Sequence, residues 1–312
     1  MSDTIPVIID TDPGVDDAIA IMLAAASGTL DIRGITAVDG NVKAVHTRQN
    51  ALDIADFLGI DCPVSCGAER QLSVQISEHG ESIHGETGMG GVSLPRSSRP
   101  FDSRDAWDFI FDIASELKGK LVIIAIGPLT DIALALRAHP TLNSLVSRLV
   151  VMGGGIEKGN RTPYAEFNFW ADPPAAKEVF ESGIPIVMAG LNVTLKTGVP
   201  ISLLHELSLR PSRMNGILRK LSDGYSDRVA GNGDCAVSII HDAIAVFYAA
   251  HPEWCETREC KITVNAVEGD EHWGESVADF SDPSQFNTTL ITDIEMEKYL
   301  AFYEEMIAFF SR

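Results

Sequence analysis

The strongest constraint on the fold is an alternation of strand-like and helix-like segments running from Ile5 to Ala189. Ile5 to Asp10 is a short apolar run ending in a polar turn, and Asp16 to Ala26 follows as a helix rich in Ala, Ile and Leu. Ile32 to Val38 is β-branched and strand-like. Val42 to Leu58 carries Val45, Leu52, Ala55 and Leu58 at roughly helical spacing, and Pro63 to Cys66 reads as a third strand. Further strands are expected at Leu121 to Ile126, Leu149 to Met152 and Pro185 to Ala189, with helices at Asp131 to His139 and Pro174 to Ser182. Strand, helix, strand repeated in this way means parallel strands joined by helical crossovers. The later part reads as more helical, at Pro200 to Glu206, Ser212 to Leu221, Ala236 to Ala250 and Ile294 to Phe310, with strands at Lys261 to Val267 and Thr288 to Ile291. The expected fold is α/β: an open, mostly parallel sheet flanked by helices, in a single domain over residues 1–312 with additional helices in the C-terminal part.

Composition narrows the partners. An apolar share of 45% is that of a globular protein. Lys plus Arg is 24 against 44 for Asp plus Glu, a formal charge of −20. That balance argues against nucleic acid and against an anionic membrane surface, both of which call for basic residues. It suits a small neutral ligand or a cation. The longest apolar runs, Ala18 to Ala26 and Ala243 to Ala250, fall short of the ~20 residues of a membrane span. The N-terminus lacks a basic segment and a long apolar stretch, so it does not read as a secretory signal. The cysteines are Cys62, Cys66, Cys235, Cys255 and Cys260, without paired CxxC spacing, and read as reduced thiols of a cytoplasmic protein. A Cys62–Cys66 or Cys255–Cys260 bridge stays open.

In an open parallel sheet, ligands bind beyond the carboxyl ends of the strands. The first such end here is Asp10-Thr11-Asp12-Pro13-Gly14-Val15-Asp16-Asp17. Four carboxylates this close repel one another unless something positive joins them. A helix N-terminus near Asp16 helps somewhat; a hard divalent cation helps far more. Asp16 and Asp17 as ordinary first-turn acids is the plainer alternative, but Pro13-Gly14 turns Asp12 back towards Asp17. His241-Asp242 stands beside a strongly apolar run, as a core histidine or as a carboxylate and a proton donor brought to a site. Tyr164 to Asp172 mixes acids, an amide and aromatics, which suits a sugar and a flat ring. Ala68 to Asp102 is a long loop rich in Gly, Ser and charge, either an active-site flap or a solvated insertion. Gly153 to Gly155 is a weak phosphate signal, because no GK[ST] follows.

Taken in order, these segments resemble the inosine–uridine-type nucleoside hydrolase family. The markers are Asp10 to Ala18, Val38-Asp39-Gly40-Asn41, His84-Gly85-Glu86-Thr87-Gly88, Gly127-Pro128-Leu129-Thr130, Met152 to Gly155, Glu166-Phe167-Asn168 and His241-Asp242. The resemblance implies a Rossmann-like fold, hydrolysis of the N-glycosidic bond of ribonucleosides, purine or pyrimidine, and a bound Ca2+. It implies that Asp12, Asp17 and Asp242, with the backbone carbonyl of Ile126, hold the cation. Asp12 would take a proton from the attacking water, and the sugar would pass through an oxocarbenium-like state. Asp16, Asn41, Asn160, Glu166 and Asn168 would hold the ribose hydroxyls. Met152 and Phe167 would line the sugar pocket. His84 and His241 would lie on the base side, with His241 protonating the leaving group. Tyr225 could cap the base or be a surface tyrosine, and Arg228 is a similar open case. A pyrimidine-preferring enzyme is the alternative on the same site. The family also implies a homo-oligomer, dimer or tetramer. Asp131 stands where the family commonly has Asn, and Asn192 where it often has Asp.

With no Lys or Arg evident beside Glu166, nucleosides rather than their 5′-phosphates are the expected substrates. Two other classes compete. A haloacid-dehalogenase-type phosphatase also begins with a strand and Asp-x-Asp, but it leaves Asp16-Asp17 and His241-Asp242 without a role. A non-catalytic nucleoside or Ca2+ binder would use the same residues without turnover.

Overall fold

The computed structural model describes residues 4–72, 79–210, 216–221, 223 and 237–311. Its centre is β1 (Ile5–Thr11), which pairs in parallel with β2 (Leu30–Ala37) on one side and β4 (Leu121–Ala125) on the other. β3 (Val64–Cys66) lies beyond β2. Beyond β4 come β5 (Val146–Met152), β6 (Ile186–Ala189) and β11 (Thr288–Ile294), all parallel. β9 (Cys255–Val264) and β10 (Ser276–Asp279) extend that edge with antiparallel pairing. Among the described residues the order is β10-β9-β11-β6-β5-β4-β1-β2-β3. β7 (Val199–Pro200) and β8 (Val237–Ser238) form a separate antiparallel pair.

The central strands are apolar throughout because helices cover both faces. Val7 and Ile9 pack into one core and Ile8, between them, into the other. The first core takes α1 (Val15–Ala26), α2 (Ala44–Leu58), α11 (Ala243–Ala250) and α12 (Met296–Phe310); the second takes α4 (Ala106–Leu117), α5 (Thr130–Ala138) and α7 (Pro173–Glu181). Every residue of α1 from Val15 to Ala24 is buried, which is why it lacks a polar face: it is wedged against α2, α11, α12 and β2. Asp16 and Asp17 are therefore buried acids, not solvated first-turn residues.

From β1 the chain runs outward to β2 and β3, then returns through α4 to β4 on the opposite side of β1. The strand order reverses there, which opens a crevice beyond the ends of β1 and β4. α3 (Glu81–His84), α6 (Phe167–Ala171) and α8 (Leu191–Thr194) are short helices, and α9 (Ile201–Ser208) and α10 (residues 216–221) follow in the later part.

Some expectations shift. The helix expected from Ala236 begins only at Ala243, since Val237–Ser238 pair with β7 as a strand. β-branched residues at 237, 239 and 240 favour extended backbone over helix. Ser212, at the start of another expected helix, lies outside the described residues, as do Tyr225, Arg228 and Cys235. The strand expected from Lys261 begins at Cys255, because pairing with β11 extends it through a polar, exposed stretch. Cys255 and Cys260 sit five residues apart on that one strand, roughly 16 Å at ~3.3 Å per residue, too far for a disulfide. Cys62 and Cys66 are also free thiols, and burial pushes Cys62 up to about 12. No helix among the described residues is long and apolar enough to cross a membrane.

Candidate active site

The turn after β1 is organised around Asp17. Its carboxylate accepts hydrogen bonds from the Thr11 hydroxyl, from Asp12 N (3.2 Å), from Gly14 N (2.9 Å) and from Asn41 Nδ2 (3.0 Å). The Pro13-Gly14 turn thus brings Asp12 and Asp17 together. Asn41, beyond the end of β2, also donates its backbone N–H to Asp12 Oδ2 at 2.6 Å. Gly40 is required here: a Cβ at this position would lie 2.1 Å from Asp12 Oδ2.

Asp242, at the N-terminus of α11, joins from the far end of the sequence. Carboxylate oxygens of Asp16, Asp17 and Asp242 lie within 4.8 Å of one another. Asp12 stands outside that set of three, but its Oδ1 has no hydrogen-bond partner among the described residues and lies against Gly127, next to Ile126. Asn168, on α6, closes the other side. Its side-chain amide donates to the carbonyls of Ile126 (2.9 Å) and Met152 (3.1 Å), joining the ends of β4 and β5. Glu166 caps α6 and accepts from the backbone N–H groups of Gly154, Asn168 and Phe169.

The electrostatics are those of a site awaiting a cation. Burial, and then the charge of Asp17, hold Asp12 well above the usual carboxylate range. Burial followed by Asp16 raises Asp17, and burial followed by Asp16, Asp17 and Asp12 raises Asp242. The donors are carboxylate and carbonyl oxygens alone, the set a hard divalent ion takes. Burial pushes His241 down to about 4, so its ring is uncharged at neutral pH.

A cavity of about 480 Å³ opens above these groups. Asp16, Asn41, His84, Ile126, Met152, Asn160, Glu166, Phe167, Asn168, His241 and Asp242 all line it, while Asp12 and Asp17 are fully buried beneath. Tyr225 lies outside the described residues. His84 Nδ1 accepts the N–H of Val15 at 3.1 Å, which ties the long loop to the start of α1. The same loop is pinned by Ala68 N donating to Asp131 and by Leu72 N donating to Asp172.

Several lining residues were missed from the sequence, His79 and Arg161 among them. His79 also faces the cavity, and its Nε2 lies 3.2 Å from Asp39 Oδ2. The Val38-Asp39-Gly40-Asn41 segment was the signal, since a buried Asp39 needs a partner. Arg161 lines the cavity too, with its guanidinium over the Trp170 ring. A basic side chain thus faces the cavity, where the sequence made none evident beside Glu166. Arg161 directly follows Asn160, but separation along the chain from Glu166 concealed it.

An acid-lined crevice at the switch point of a parallel sheet, floored by converging carboxylates, has the form of an enzyme site that could hold a metal ion and a small polar substrate. Comparison with known proteins makes this specific. Residues 7–301 match the family model described as inosine-uridine preferring nucleoside hydrolase. A pyrimidine-specific ribonucleoside hydrolase, RihA, from Citrobacter koseri is 34% identical over 98% of this chain and 99% of its own. The Salmonella typhimurium RihA is 33% identical with the same coverage. Among solved structures, a purine-preferring ribonucleoside hydrolase from Gardnerella vaginalis superposes with a TM-score of 0.91 at 30% identity, covering 98% of this chain and 99% of its own. A plant nucleoside hydrolase gives 0.90 at 28%, covering 97% and 98%. The chain belongs to the inosine-uridine preferring nucleoside hydrolase family and is an enzyme that hydrolyses the N-glycosidic bond of ribonucleosides.

Proposed function

We propose that the reaction depends on Ca2+ held by the side chains of Asp12, Asp17 and Asp242 and the carbonyl of Ile126. The observation that carries this reading is the convergence of three buried acids, Asp16, Asp17 and Asp242, from two ends of the chain, with Asp12 buried beside Asp17. A cation held there would neutralise these charges and lower the pKa of a nearby water. Asp12 then receives the proton of the attacking water through the Oδ1 that has no other partner. Asp16, Asn41, Asn160, Glu166 and Asn168 hold the ribose hydroxyls. Met152 and Phe167 shape the sugar pocket. The surrounding carboxylates favour the positive charge that develops on the sugar as the C1′–N bond breaks. His84 and His241 present N–H groups on the base side.

Pyrimidine ribonucleosides are the favoured substrates. Support comes from the relatives at 33–34% identity that are described as pyrimidine-specific. The Gardnerella vaginalis enzyme, described as purine-preferring, favours a purine reading at 30% identity. A homo-oligomer, dimer or tetramer, belongs to the same proposal and is checked by light scattering. The test of function is a reducing-sugar assay on inosine, adenosine, guanosine, uridine and cytidine, with and without chelator. Ribose release that chelation abolishes and Ca2+ restores supports the proposal; release unaffected by chelation refutes the cation's part.

A further inference from the structure

Behind His241 stands a residue that sequence reading gave no role. Thr194, the last residue of α8, is fully buried, and its Oγ1 lies 2.8 Å from His241 Nδ1. Thr194 Oγ1 makes no other hydrogen bond among the described residues. A hydroxyl carries one hydrogen, and a buried donor left without an acceptor is costly. Among the described residues His241 Nδ1 is the one hydrogen-bond partner of this hydroxyl. The hydroxyl therefore donates to Nδ1, and Nδ1 carries no proton.

A neutral imidazole with a bare Nδ1 carries its proton on Nε2. The His241 ring lines the cavity, and its Nε2 makes no hydrogen bond among the described residues. The opposite arrangement, with Nδ1 protonated, would leave the Thr194 hydrogen buried without an acceptor.

We propose that Thr194 is a positioning residue that holds His241 as the Nε2–H tautomer, so that the departing base is met by a hydrogen-bond donor on the cavity side of the ring. The inference rests on the placement of His241 beside the base in the proposed function. The step balances without proton transfer from the ring. Water's oxygen bonds to C1′, the C1′–N bond breaks, and Asp12 takes the water's proton. The base leaves as an anion hydrogen-bonded to Nε2–H and is later protonated by solvent. The step asks no proton of the His241 ring, only the Nε2–H hydrogen bond.

The test compares Thr194→Val and Thr194→Ser with the parent, loaded with Ca2+, on uridine and on 4-nitrophenyl β-D-ribofuranoside. The nitrophenolate leaves without help. Thr194→Val, which keeps the shape and removes the donor, is expected to lower kcat on uridine by roughly 10-fold to 100-fold with little change in KM. Turnover of the nitrophenyl riboside should be unchanged, and Thr194→Ser should retain the parent's rate on both. Long-range 1H–15N spectra of the parent should show His241 protonated at Nε2 alone. Equal losses on both substrates, no loss on uridine, or a protonated Nδ1 in the parent would each overturn the proposal. If the parent cleaves neither substrate, the functional reading fails, and the spectrum still decides the tautomer.

Discussion

The side-chain amide nitrogen of Asn168 lies 2.9 Å from the carbonyl oxygen of Ile126. One end of this bond is a residue proposed to hold ribose, and the other a carbonyl proposed to hold the cation. Asn168→Ala removes the donor from two buried carbonyls, those of Ile126 and Met152. The expected cost is about 1–3 kcal/mol of stability in urea unfolding. Weaker Ca2+ binding by calorimetry should accompany it. A variant as stable as the parent would show that water replaces the amide.

The acid cluster predicts how stability responds to metal. Asp242 is raised by burial and then by Asp16, Asp17 and Asp12, so it contributes repulsion until a cation arrives. Adding Ca2+ at about 100 times its Kd should stabilise the parent by about 2.7 kcal/mol. Asp242→Asn relieves part of the repulsion and removes a ligand. Its metal-free form should melt higher than the metal-free parent and gain little from Ca2+ in a thermal-shift titration.

Gly40 supplies a steric prediction. Gly40→Ala places a methyl 2.1 Å from Asp12 Oδ2, so the carboxylate must move. Ribose release should fall at least tenfold, while overpacking costs about 1–3 kcal/mol. Activity equal to the parent's would mean that the position of Asp12 matters little.

Asp131 governs a pH dependence. It is fully buried on α5, accepts Ala68 N at 2.7 Å, and burial raises it to about 6. A carboxyl whose folded pKa exceeds its unfolded value of about 3.9 contributes stability below that value. The contribution is lost as pH rises through about 6. Asp131→Asn can still accept from Ala68 N but does not titrate. Near pH 7 it should be more stable than the parent by on the order of 1–3 kcal/mol, and the difference should shrink towards pH 4. Denaturant midpoints across that range check it, and parallel profiles would refute it.

Much of the fold was legible along the chain, because a strand covered on both faces must be apolar throughout and each crossover helix follows its strand. α4 was readable too, since Ala106, Phe109, Ile110 and Ala114 fall at helical spacing, although it was not picked out. β9 was harder to bound. Its first residues are polar and exposed, so hydrophobicity does not mark where pairing with β11 begins. In the site, Asp12, Asp17 and Asn41 announced themselves through local motifs. Thr194 did not, because it matters through His241, 47 residues further along the chain.

The sequence by itself determined the parallel architecture, the acid-rich turn after β1 and the family, since each is written in local pattern. Only the tertiary structure decided that Asp16, not Asp12, groups most closely with Asp17 and Asp242, and that Thr194 reaches His241 Nδ1. The physical reason is range. Backbone propensity and hydrophobic periodicity act over a few residues. Hydrogen bonds and carboxylate repulsion act over a few ångströms between groups that only the folded sheet brings together.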